Sequence, residues 1–441
     1  MFDPAVYAAR RADLMKAIGP GGVAIVRSLP QQLRNGDAYH RFRQHSDVVY
    51  LTGFVEPDTT LIVRPGADTD RVVMFVRPRD AELEVWDGSR AGLEGARERY
   101  GADAAYPANE LERRLPDLIA NCEQLHYGLG LDEQMDHLVA HTIARLRKTE
   151  KRGQRPPHAV VDPRIALHEL RLFKRPEELD VMRAASKIST EAHIAAMHAG
   201  KPGAFEYEVE AAVDFTFRRR GGTGPGYTTI VGAGKHATVL HYITNDAPIR
   251  DGDLVLVDAG CEVDHYTADI TRTWPANGKF TPAQRRVYDI VLEAQVSAIS
   301  LARPGATINE IHDHCVRALT AGMIELGLLS GHVEDRIADA SYKKFYMHGT
   351  SHWLGLDVHD AGAYTIGGTA RPLAANMVLT VEPGLYIAAD APDVPDEYRG
   401  IGVRIEDDVL VTAGPPDVLT ASCPKQPDEL QRIISSRRLV A

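Results

Sequence analysis

The sequence predicts an α/β domain over residues 1–170, followed by a domain over residues 171–441 built as two similar halves about a pseudo-twofold axis. Three observations carry this. The chain has 441 residues, 44% of them apolar and 25% charged, a globular composition too long for one ordinary core. The first part alternates strand-like with helical runs. The second part states one pattern twice: a Pro-Gly-Ala turn, a helix, histidine-bearing strand segments, then a strand that ends on an acid before glycine.

From the N-terminus, MFDPAVYAARRADLMKAIG reads as an amphipathic helix carrying Arg10, Arg11 and Lys16, not as a charged end leading into the apolar stretch of a secretory signal. VAIVRS, TTLIVRPG and DRVVMFVRP are strand candidates; ANELERRLPDLIANC and DEQMDHLVAHTIARLRKTE are helical. The basic, proline-containing stretch from Arg145 to Arg164 reads as a solvated linker. It leads into HELRLFKRPEEL, where Pro176 suits the first position of a helix, so the domain boundary is expected near residue 170.

The repeat pairs GKPGAFEYEVEAAVDFTFRRRGG (200–222) with ARPGATINEIHDHCVRALTAGM (302–323). Each helix carries a glutamate in its first turn, Glu208 or Glu310, and Thr307 with Glu310 forms a capping box. Downstream, VLVDAG in the first copy corresponds to VLTVEPG in the second. A site between the two halves follows from this order.

Carboxylates mark that site. A hairpin from Leu254 to Trp274 turning near Val263 and Asp264 would oppose Asp258 to Asp269, leaving Asp264 as a turn residue. In the second copy, a loop centred near Val394 would oppose Glu382 to Glu406. Opposed acids on apolar strands repel unless a cation lies between them. With His352 from HGTSHWLG, the four acids form a ligand set for two hard or borderline divalent ions. Other chemistries fail on spacing. GAGKHAT is no P-loop, GGTGPGY has a proline where a dinucleotide loop enters its helix, His168-Glu169 lacks the second histidine of a zincin, and GTSHW breaks the GxSxG pattern.

The net charge of -11 argues against nucleic acid or an anionic membrane as the main partner. No segment approaches the ~20 apolar residues of a membrane span. The four cysteines are scattered without CxxC, which implies neither a disulfide framework nor a zinc cluster and makes the cytoplasm the expected location.

LHYITND, DAGCEVDHYTADITRTW, MHGTSHWLGLDVHD, EPGLYI and GIGVRIEDD, in this order, resemble the successive motifs of the pita-bread metallopeptidases, in their proline-specific branch of Xaa-Pro aminopeptidases and prolidases. Upstream, RNGDAYHRFRQHSDVVYLTGFVEPDTTLIV is similar to the creatinase-like N-terminal domain of that branch. The resemblance implies an α+β pita-bread catalytic domain over 171–441 behind an α/β creatinase-like domain over 1–170. It implies that Asp258, Asp269, His352, Glu382 and Glu406 bind two divalent ions, usually Mn2+, and that His241, His348, His359 and Arg404 occupy catalytic and substrate-binding positions. Trp86 and Asp37 match positions that help close the site in that branch, and a homo-oligomer, dimer or tetramer, would let a neighbouring subunit supply Trp86.

The resemblance implies release of the N-terminal residue from peptides with proline second, and the ligand set implies that the nucleophile is a bridging hydroxide from a dinuclear centre. Glu382 is the expected general base, with His359 or His241 stabilising the oxyanion. A dipeptidase confined to Xaa-Pro, and a non-catalytic binding module of the same fold, are the alternatives.

Overall fold

The computed structural model describes residues 2–436. The chain divides between Arg171 and Leu172 into two compact units.

The N-terminal unit is built on a six-stranded mixed sheet, in the order Ala104–Pro107, Val72–Val76, Thr60–Val63, Gly22–Arg27, Gln124–His126, Ala159–Val161. The central pairings are antiparallel and the outer ones parallel. Val72–Val76 is buried along its whole length, as expected of an unbroken apolar run covered on both faces. The helices Leu111–Ile119 and Glu133–Thr149 pack Leu115, Ile119, Met135 and Val139 into that core. The first helix, Pro4–Ile18, forms where the sequence places it. Its Arg10 and Arg11 are nevertheless buried, donating to the carbonyls of Tyr50 (3.1 Å) and Leu51 (2.8 Å) in the last turn of the helix Ser46–Thr52, groups that this helix cannot satisfy itself. The stretch Arg145–Arg164 is not a linker. Its beginning completes a helix, and Ala159–Val161 joins the sheet edge in parallel with Gln124–His126. Backbone pairing to an existing edge prevailed over its polar composition.

In the C-terminal unit the repeat is physical. The helix Pro176–Ala199 packs on Glu206–Arg219, and Pro282–Ile299 on Ile308–Glu325. Both Pro-Gly-Ala turns place glycine in the left-handed region, Gly203 at φ 91° and Gly305 at φ 90°, where a side chain would be strained. Both donate from that glycine to the matching segment, beside an isolated bridge in each copy (Phe205 with Pro248, Thr307 with Pro372): Gly203 N–H to Ile249 O and Gly305 N–H to Leu373 O, each at 2.9 Å. Glu310 and Thr307 complete a reciprocal capping box; in the first copy Glu208 accepts from Phe205 N–H at 2.7 Å, but a phenylalanine cannot return the bond.

Each copy ends in a small antiparallel sheet: Ile230–Ala233, Leu254–Asp258 and Thr271–Pro275 in the first, Val378–Val381, Asp407–Leu410 and Asp417–Val418 in the second. Val255, Val257, Trp274, Leu379, Val381 and Val409 share one apolar cluster drawn from both copies. Among the described residues no helix is long and apolar enough to cross a membrane.

Candidate metal centre and active site

Asp258 closes the strand Leu254–Asp258, but its cross-strand partner is Thr271, not Asp269 as the sequence suggested. The cause is the turn. Asp264 and His265 both lie at positive φ (46° and 71°) and form a two-residue turn in which Val263 pairs with Tyr266. Moving the turn by one residue moves every partner by two, and a shift of two keeps a side chain on its face. Asp269 therefore lies between the strands Tyr266–Thr267 and Thr271–Pro275 and still reaches Asp258. Tyr227 ties the two acids together: its hydroxyl donates to Asp258 Oδ1 at 2.6 Å and also contacts Asp269 Oδ1. The amide of Asp269 is held by both oxygens of the buried Asp408, at 3.2 and 3.1 Å.

In the second copy the predicted register holds. Val381 pairs with Asp407 and Gly384 with Arg404, which leaves Glu382 and Glu406 opposed in the gap between these ladders. Pro383, without an N–H, suits that interruption. Thr271 then joins the copies: its carbonyl accepts the Glu406 amide at 3.1 Å and its hydroxyl donates to Glu406 Oε2 at 2.6 Å.

His352 faces these acids. Its Nδ1 is 3.1 Å from the Trp353 carbonyl, which can only accept, so Nδ1 carries a proton and Nε2 is the nitrogen turned toward the acids, free to bind a cation once its own proton is displaced. Nε2 lies 3.4 Å from Asp269 Oδ2 and 3.4 Å from Glu382 Oε1. Ligand atoms of Asp269, His352 and Glu406 all lie within 4.8 Å of one another. An imidazole oriented through its other nitrogen by a backbone carbonyl is the usual support of a metal-binding histidine, and the donor set of carboxylates plus one imidazole suits a hard or borderline divalent cation.

The electrostatics point the same way. Burial, reinforced by Asp269 and the other acids, pushes Glu406 well above the usual carboxylate range; burial raises Glu382 and Asp269 too. Burial pulls His352 down, but Asp269 and Glu382 outweigh it and push the imidazole up to about 9. Carboxylates crowded out of water need a cation to remain ionised.

Arg404 closes one side of the cluster, donating from Nη2 to Asp258 Oδ2 at 2.6 Å, from Nε to Thr271 Oγ1 at 3.0 Å and from Nη1 to the Tyr386 hydroxyl at 3.1 Å. Tyr386 in turn lies 2.8 Å from His348 Nε2, while His348 Nδ1–H donates to the Gly349 carbonyl at 2.7 Å. Burial and Arg404 hold His348 down at about 4, so its 3.7 Å approach to Glu382 is not an ion pair at neutral pH. His359 packs edge-on against His352 with ring centroids 4.4 Å apart, and burial lowers it too. His241 is exposed. A cavity of about 530 Å³ takes all of these into its lining: the five candidate ligands, His241, His348, His359 and Arg404. The other two predicted residues lie in the N-terminal unit: Trp86 is 84% exposed on the short helix Ala81–Asp87, and Asp37 is exposed in the turn of a small hairpin.

Tyr227, Thr271, Asp408 and Tyr386 were not singled out from sequence. Thr271 stands two residues beyond Asp269, so period-two reading of ADITRTW could have found it; nothing in GPGYTT marks Tyr227, because its partners are distant in the chain.

Fold and site together define a metal-dependent hydrolase assembled from two copies of one unit. Residues 180–413 match the model of metallopeptidase family M24, and residues 7–127 match that of the aminopeptidase P N-terminal domain. The chain belongs to metallopeptidase family M24. It is 44% identical over 430 residues to the Xaa-Pro aminopeptidase of Escherichia coli K12, covering 97% of each chain. It is 34% identical to human Xaa-Pro aminopeptidase 3, covering 97% of this chain and 85% of that one. Its fold is similar to that of the solved Pseudomonas aeruginosa aminopeptidase PepP, with a TM-score of 0.97, 46% identity and 99% of each chain covered.

Proposed function

We propose that this enzyme releases the N-terminal residue from peptides whose second residue is proline. The observation that carries the reading is the convergence of Asp258, Asp269, His352, Glu382 and Glu406 on the wall of one cavity, in a chain matched nearly end to end by Xaa-Pro aminopeptidases. Those five residues would hold two divalent ions, Mn2+ by preference, since oxygen donors and one imidazole offer nothing to thiolate-seeking metals. When bound, such ions supply a water of lowered pKa and polarise the scissile carbonyl.

The remaining steps fall to side chains. Glu382, raised by burial, takes a proton from the attacking water and returns it to the leaving nitrogen. His359, kept neutral by burial, or His241 donates to the developing oxyanion. Arg404 holds Asp258 and, through Thr271, Glu406 in place. The Xaa-Pro bond is a tertiary amide without an N–H, so its recognition relies on shape and not on that donor. Arg404 is the only Lys or Arg among the described lining residues and is already paired with Asp258, which supports a pocket open to a continuing chain instead of one closed on a dipeptide carboxylate. The same reading includes a homo-oligomer in which Trp86 and Asp37 help close the site. It also places the enzyme in a reducing compartment, the cytoplasm, in keeping with four buried free thiols.

Arg-Pro, Arg-Pro-Pro, a longer Arg-Pro-Pro peptide and an Arg-Ala-Pro control, assayed with defined metals, test the proposal. Release of arginine from the longer Xaa-Pro peptides with kcat/KM at least equal to that for Arg-Pro is expected. Cleavage confined to Arg-Pro would mean a prolidase, and no cleavage with any metal would mean a binding module.

A further inference from the structure

His241 stands in a segment with little structure of its own. Between the strands Ile230–Ala233 and Leu254–Asp258 the chain makes a single 3-10 turn, Gly234–Thr238, and then runs irregularly past His241. Leu240, His241 and Ile243 all line the cavity. A functional side chain on irregular backbone must be held by its surroundings.

Asn245 anchors one point, through Val231 N–H, Glu210 and the Thr229 carbonyl, and one carboxylate holds the segment at four. Glu206, the first residue of the helix Glu206–Arg219, is fully buried. Its Oε1 accepts from Ala233 N–H at 2.8 Å and from His236 Nδ1 at 3.1 Å; its Oε2 accepts from the Tyr242 hydroxyl at 2.9 Å and from Ala247 N–H at 2.9 Å. These bonds use all the acceptor capacity of a carboxylate. They fall at the start of the segment, in its 3-10 turn, at the residue beside His241, and at its end. The rings of His236 and Tyr242 stack at 4.5 Å. A helix N-terminus favours the negative charge.

The backbone around the segment leaves no slack. A Cβ at Gly402 would lie 2.0 Å from the Ala237 carbonyl, so the turn rests flat on the strand that carries Arg404. In the second copy of the repeat the position after the N-cap Thr307 is Ile308, which has no carboxylate. The twofold is broken where the first copy presents His241.

We propose that Glu206 is a positioning residue: by fastening both ends and the middle of the segment 233–247 to one buried carboxylate, it sets where His241 stands in the cavity. This rests on the reading of His241 as a substrate-facing residue.

The test is a double-mutant cycle on the full-length, metal-loaded enzyme with an Xaa-Pro peptide: Glu206→Gln, His241→Ala and the pair combined. Glutamine keeps the size but turns an NH2 toward donors. Glu206→Gln is expected to lower kcat/KM by roughly tenfold or more at unchanged metal content. In the His241→Ala background the same change should cost less than about twofold, because the group it acts through is gone. Fully additive losses, loss of metal, or wild-type kinetics in Glu206→Gln beside an impaired His241→Ala would overturn the proposal. Wild-type kinetics in His241→Ala would instead remove the reading beneath it. Should Glu206→Gln not fold, Tyr242→Phe, which deletes one hydroxyl of the four donors, carries the same cycle.

Discussion

Lys174 and Asp360 form an ion pair at 2.8 Å with each side chain 1% exposed. The pair sits beneath the segment that presents His352 and His359. Asp360 N–H donates to the Trp353 carbonyl at 2.8 Å, and a Cβ on Gly355 would lie 2.2 Å from Asp360 Oδ2, so the segment is packed directly against the carboxylate. Two charges withdrawn from water gain little net energy from each other, but removing one takes from the other a buried counter-charge at 2.8 Å that water cannot replace. Asp360→Ala is therefore expected to destabilise the metal-loaded protein by about 3–5 kcal/mol. At about 2–4 °C per kcal/mol for a domain of this size, Tm should fall by roughly 6 to 20 °C. Lys174→Met combined with Asp360→Leu should recover most of that loss, since an apolar pair of similar volume removes both buried charges. Urea unfolding and calorimetry of the single and double variants at fixed metal concentration measure both effects. A single-variant loss under about 1 kcal/mol, or a double variant no better than the single, would refute the reasoning.

Asp269→Asn and Glu406→Gln should lose metal together with activity, read by elemental analysis, because a neutral amide is a poorer ligand. Chelation should abolish turnover while far-UV circular dichroism stays largely native, and active protein should hold about two divalent ions per chain. His359→Ala should keep its metal and lose much of its rate; wild-type turnover would remove it from the transition state. His193, buried and donating to the Ala259 carbonyl at 3.1 Å, is pulled down to about 4 by burial from an ordinary value of 6.5. The unfolded chain binds that proton first, so this contribution, up to about 3 kcal/mol, is present above pH 6.5 and lost as pH falls toward 4. His193→Gln should flatten the acid limb of stability against pH in metal-free protein; an unchanged slope would contradict the assignment.

The repeat was legible in the sequence because its cause is local. A glycine at positive φ, a helix first turn with glutamate and an acid at a strand end depend on near neighbours, and Gly203, Gly305, Glu208 and Glu310 could each be read in place. The opposition of Glu382 to Glu406 was legible for the same reason, since a symmetric loop leaves one register. In the first copy the alternation of side chains determined the face on which Asp258 and Asp269 stand, but not their partners. That depended on Asp264 and His265 both accepting left-handed backbone, a choice between adjacent turns that a sequence pattern does not resolve. The contacts between distant segments were decided by tertiary structure alone. Tyr227 on two acids, Asp408 on the Asp269 amide, Thr271 on Glu406, Lys174 on Asp360 and Glu206 around His241 join residues that are far apart in sequence and carry no periodic signal. Periodicity reports which face a side chain takes; only packing in three dimensions decides what it meets there, because a buried polar group takes whichever partner the assembled chain brings within hydrogen-bond reach.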